Sequence, residues 1–282
     1  MAQAFPLQPG AIQMTDGELD AEAARSRSVG LASVLAVAMY TGFVFTSWLS
    51  LRDAVAGDRA KWLISIADHK LAFIASGFFV SVASILVAAV LGHIILAARS
   101  RSTLVPKFTL YATLVGPLAV ALLFPIYVLG QVSAAGDFID AGAQTAALAR
   151  DLSSSGLAQF STSAFLLAQT LLGVAWVITG IYGMRIGLLT RLVGVVAVAI
   201  GAANVIAPPP TALAGLLSVF WIGAFAIMML GESAQIPPAW KLGRPVPWRE
   251  VAAVGQAQQE NPAQQENLAQ PENPQDFNKP GS

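Results

Sequence analysis

LAFIASGFFVSVASILVAAVLGHIILAA, residues 71–98, runs without an aspartate, glutamate, lysine or arginine. A hydrocarbon layer about 30 Å thick is crossed by roughly 20 apolar helical residues, because lipid offers backbone groups no partners and the segment must supply its own. This stretch is long enough to cross. Outward from it, further charge-free windows lie at 28–51, 108–136, 152–184 and 192–231. The last is too long for one span. Pro208, Pro209 and Pro210 lack amide donors and restrict the residues before them, so they divide it into two. The expected spans are 29–51, 71–98, 108–132, 160–184, 192–207 and 211–231. The fifth is short, and a re-entrant hairpin over the fifth and sixth is the competing arrangement.

The composition agrees, with 55% hydrophobic and 11% charged residues and a mean hydropathy of +0.64. Soluble domains carry about 25% charged residues, so a soluble globular enzyme is excluded. Sixteen basic and sixteen acidic residues give no field for nucleic-acid phosphates, and no nucleic-acid partner is expected. Without cysteine the chain has no disulfide, thiolate or cysteine zinc site, and two histidines make a metal centre unpromising. The fold class is therefore an all-α polytopic transmembrane bundle of about six spans over 29–231. A polar cytoplasmic segment, 1–28, precedes it. A proline, tryptophan and basic juxtamembrane segment, 232–249, follows, and then a tail over 250–282.

The first apolar stretch follows a long polar segment and exceeds a signal-peptide core, so it is read as a retained span. Arg25, Arg27, Arg99, Arg101, Lys107, Arg185, Arg191, Lys241, Arg244 and Arg249 fall on one side, against Arg52, Arg59, Lys61, Lys70 and Arg150 on the other. The positive-inside rule then predicts that both termini lie in the cytoplasm. The tail repeats a hexad as QQENPA, QQENLA and QPENPQ over 258–275. Proline, glutamine and glutamate with almost no aliphatic residues cannot bury enough surface to fold, so the tail is expected to be disordered.

Trp62, Trp240 and Trp248 are expected as interfacial anchors, since indole rings suit the headgroup layer. Trp62, Leu63 and Ile66 at helical spacing predict a short helix lying in the outer interface. The charged residues around it, Asp58, Arg59, Lys61, Asp68, His69 and Lys70, read as a wetted collar.

Inside the spans no carboxylate or basic group lies deep, and His93 is the deepest ionisable candidate besides tyrosine. A proton relay needs an acidic or histidine partner at similar depth, and the spans offer none. Gln169, Asn204 and Tyr127 are the further intramembrane polar positions to watch, with cross-helix bonding as their expected role. Gly77, Ser81, Ser84, Ala88 and Gly92 form a small-residue stripe on which another helix packs closely. Pro117 and Pro125 each remove a backbone donor and predict kinks in the third span. No nucleotide-binding, zinc-protease or hydrolase motif is present, so catalytic, cofactor-binding and metal residues are all expected to be none.

The inner turn GMRIGLLTRLVGVVAVAIG, 183–201, and the juxtamembrane PPAWKLGRPVPW, 237–248, resemble the uncharacterised small multi-pass integral membrane proteins of bacteria grouped as domains of unknown function. That resemblance implies a six-helix bundle over roughly 29–250 and brings no activity or cofactor. The expected function is a non-enzymatic packed bundle acting through the lipid bilayer and membrane or cytoplasmic protein partners. The alternative is a permease or channel for a small neutral or amphipathic solute.

Overall fold

The first helix begins at a reciprocal cap. The Glu18 amide donates to Thr15 Oγ1, and the Thr15 amide donates to the Glu18 carboxylate at 2.8 Å. In this computed structural model, which describes residues 10–55, 57–206, 212–231 and 236–246, α1 then runs Asp16–Leu51. It starts well before the expected span and carries polar residues alongside the inner ends of its neighbours. The α2 helix, Arg59–Asp68, is capped by Asp58 Oδ1 accepting from the Lys61 amide. Next come α3, Lys70–Arg101, α4, Phe108–Asp140, α5, Ala146–Ser153, and α6, Gly156–Ile186. Gly187 ends α6 in the left-handed region at φ 78°, and the Leu188 amide returns to the Gly183 carbonyl. The described chain closes with α7, Arg191–Ile206, α8, Ala212–Leu230, and the short α9, Pro238–Leu242.

Four helices, α1, α3, α4 and α6, are long and apolar enough to cross a membrane, and α7 and α8 are shorter apolar helices. Each packs on the next in the order α8, α1, α3, α4, α6, α7 and back to α8, while α3 also meets α6. The result is a closed ring with large apolar side chains turned outward. Leu71 is 82% exposed, Leu122 71% and Ile227 67%. In water such a surface would drive association, whereas acyl chains match it. The chain is a multi-span membrane bundle.

The ring is filled. Trp176 meets Trp221 edge to face at 4.8 Å, and Trp221 stacks on Phe225 at 5.5 Å, all three almost fully buried. The Trp221 indole N–H donates to the Val193 carbonyl at 2.7 Å, which satisfies that buried polar group. A second aromatic layer joins Phe124, Phe165, Tyr127 and Phe43. The α6–α7 seam is set by glycines. A Cβ on Gly173 would sit 2.6 Å from the Gly201 carbonyl, and one on Gly180 would sit 2.7 Å from that of Gly194. On that antiparallel register Ile206 lies level with Ala168, about 18 Å short of the far end of α6. The described part of α7 therefore stops short of the far end of α6.

One expectation is corrected. The α2 helix does not lay its apolar face on lipid, because Leu63 and Ile66 are fully buried within the main core and α2 packs on α4. Helical spacing showed which face is apolar, and the neighbouring helix rather than the headgroup layer covers it. The tail over 250–282 and Trp248 lie outside the described residues.

Candidate functional site

Extending α1 toward the N-terminus brings Glu22 beside Arg101, the last residue of α3. The guanidinium holds both carboxylate oxygens, at 2.6 and 2.8 Å, and donates to the Ala239 carbonyl of α9 at 3.0 Å and the Ala97 carbonyl at 2.9 Å. Arg101 is 0% exposed and Glu22 6%. Burying two charges carries a desolvation penalty, and a forked geometry with further acceptors offsets it. One turn along α1, Ser26 Oγ lies 3.1 Å from His93 Nε2. The His93 ring stacks on Trp240 at 5.4 Å, and the Trp240 indole N–H donates to the Leu188 carbonyl at 2.8 Å.

Backbone bonds tie the same end together. The Ile12 amide donates to Arg101, Met14 to Gly243 and Val246 to Ile186. Both ends of the described chain therefore meet at one face of the bundle, here termed the terminal face. Two grooves open there on either side of Glu22. One of about 920 Å³ lies between α1, the end of α8 and α9. The other, about 610 Å³, lies between α1, α3 and the start of α4.

The opposite face holds its cation differently. Arg59 Nε donates to Ser153 Oγ and its Nη2 to Gln131 Oε1, both at 2.7 Å, while the guanidinium lies 3.7 Å over the Trp62 ring. Fully buried Gln131 donates in turn to Thr162 Oγ1 at 2.9 Å. Burial pulls the Arg59 guanidinium below its ordinary value, opposed by the nearby Tyr127 phenol. The two ion pairs among the described residues are Glu22–Arg101 and the exposed Arg52–Asp53, so Arg59 is held by neutral groups.

The intramembrane polar positions do not converge on one site. Gln169 is buried and its Oε1 has no hydrogen-bond partner, as is true of Ser84 Oγ and Thr113 Oγ1. Half-buried Asn204 donates to its own helix at the Ile200 carbonyl, and its Cβ lies near Gly173, one turn from Gln169. Tyr127 stacks on Phe165 at 5.1 Å. On the stripe, Gly77 faces Val128 and Gly92 faces Leu114, so α4 is its neighbour. Ser81 bonds the Gly77 carbonyl, while Ser84 and Ala88 are buried. Pro117 follows Gly116, where α4 presses on the Leu171 backbone, and Pro125 is half-buried in the same helix. Trp62 is clamped between Arg59 and Phe73, and Trp240 sits among His93, Arg101 and Leu188. Both indoles are half-buried against these protein groups.

Among the described residues no cluster of three His, Cys, Asp or Glu side chains is placed to hold a metal ion. No known protein family, curated protein or solved structure matches the chain. Glu22, Ser26, Arg101 and Gln131 were not singled out from the sequence as functional. The usable signal was the Thr15-x-x-Glu18 cap, which starts a helix whose buried face then carries Glu22, Gly30, Ser33 and Ala36 at helical spacing.

Proposed function

We propose that this chain is a non-enzymatic membrane bundle that acts through lipid or protein partners on its terminal face, with that face in the cytoplasm of a bacterial inner membrane. The observation that carries this reading is the aromatic plug of Trp176, Trp221 and Phe225, which fills the space a permeation path would occupy, while the wide grooves lie at the terminal face. Neither Gln169 nor Asn204 lines those grooves or the smaller one of about 180 Å³ at the opposite face.

A second reading, a permease for a small neutral solute, draws support from the unpartnered Gln169 acceptor one turn from the Asn204 level. A buried acceptor without a donor costs about 1–3 kcal/mol, and a solute hydroxyl or amide would relieve it. Stopped-flow shrinkage of proteoliposomes in glycerol and urea separates the two. The bundle reading expects rates equal to those of empty vesicles, with lipid or protein co-purifying. Solute flux abolished by Gln169→Leu overturns it.

A further inference from the structure

We propose that the groove between α1, α8 and α9 is a binding site for one zwitterionic phospholipid with a primary ammonium head, of the phosphatidylethanolamine type; this rests on the bundle reading above. The order of side chains along the groove carries the inference. At its deep end Leu31 is 63% exposed, and Leu230 of α8 lies against Gly30 at the same level. One turn outward on α1 comes Arg27; Lys241 of α9 also lines the groove, next to Leu242 and Gly243, which meet Gln13, Met14 and Leu19. Further out stand Asp20 and Asp16, on the same wall and one turn apart. Arg27, Asp20, Asp16 and Lys241 are all exposed.

From the bilayer outward the wall thus reads apolar, cationic, anionic. A phosphatidylethanolamine molecule reads acyl chain, phosphate, ammonium in the same direction. Arg27 and Asp20 are about 10 Å apart along the helix axis, and Ala23 between them has no side chain long enough to close the space. The guanidinium suits a phosphate oxygen and the paired carboxylates suit an ammonium. Glu22 also lines the groove, but Arg101 occupies both its oxygens, which leaves ammonium binding to Asp16 and Asp20. An anionic lipid would meet Arg27 favourably and then face two carboxylates. A quaternary ammonium head could not donate hydrogen bonds to them.

The test uses the full chain in nanodiscs of equimolar phosphatidylethanolamine, phosphatidylcholine and phosphatidylglycerol, followed by delipidating detergent and native mass spectrometry. The expected result is one retained phosphatidylethanolamine. Asp16→Asn with Asp20→Asn, at exposed positions that leave the fold intact, lowers its retention relative to phosphatidylglycerol by about fivefold or more. Arg27→Gln lowers retention of both zwitterionic lipids. Equal or preferred retention of phosphatidylglycerol or phosphatidylcholine by the unmodified chain, or a ratio unmoved by the double substitution, overturns the inference. Those outcomes leave the bundle reading standing if the vesicles show no solute flux, whereas flux in that separate assay removes the reading itself.

Discussion

Each end of this bundle holds an arginine against protein, and the two solutions differ. At the terminal face Arg101 is wholly buried and forked onto Glu22, while at the other face half-buried Arg59 is held by Gln131, Ser153 and the Trp62 ring. Depth of burial explains the difference. A fully enclosed cation is strongly disfavoured without a counter-charge, whereas one that keeps contact with water needs only dipoles and an aromatic face. The terminal face therefore depends on a single pair, and the opposite face spreads its cation over several weak bonds.

Removing the pair should produce the largest effect. Arg101→Ala strands the Glu22 carboxylate, frees the Ala239 carbonyl and is expected to destabilise the bundle by about 3–5 kcal/mol. Thermal unfolding of the purified chain in detergent measures it. Arg59→Ala leaves the buried Gln131 Oε1 without its donor and is expected to cost about 1–3 kcal/mol. Equal losses from the two substitutions would break the comparison.

Much of the architecture was legible because lipid imposes a length and forbids unpaired backbone. Residues 71–98, 108–132 and 160–184 fall inside α3, α4 and α6, and the two segments about the proline triplet emerge as the shorter α7 and α8. The site was much less legible. Glu22 meets a partner 79 residues away, and nothing local to either residue records that pairing. Gln131 lay inside a charge-free window and Arg59 in a mixed-charge loop, so each looked ordinary until the fold set them side by side. The α2 helix shows the same limit, since its period identified the apolar face but not what covers it.

A finer test asks how much of the terminal face depends on charge and how much on the indole beside it. Trp240→Phe keeps a ring against His93 but deletes the donor to the Leu188 carbonyl, which ties α9 to the α6–α7 turn. The expected loss is about 1 kcal/mol, well below that of Arg101→Ala. Hydrogen exchange should rise at 238–246 and stay unchanged at α2. A loss as large as that of Arg101→Ala would move the weight of the terminal face from the ion pair to the indole.

The smallest effect separates the outer end of α1 from the pair deeper along it. The Thr15 amide, followed by its hydroxyl, donates to the Glu18 carboxylate and holds it below its ordinary pKa of 4.5. A carboxylate whose folded value is depressed stabilises the native state fully above its unfolded value, and the contribution drains away as pH falls through the lowered one. Hydrogen-exchange protection at 18–20, taken relative to the intrinsic rate at each pH, should therefore be greatest near neutral pH and fall in acid below about pH 4.5. Thr15→Ala deletes the hydroxyl and keeps the amide, so it should move Glu18 part of the way back toward 4.5 in an NMR titration and shrink that acid response. Exchange at 93–101 should be untouched by the substitution, because the Glu22–Arg101 contact lies beyond the capped first turn. If opening at 18–20 spread to 93–101 in the Thr15→Ala chain, the cap and the ion pair would form one cooperative unit, and the terminal face would depend on more than its buried charges.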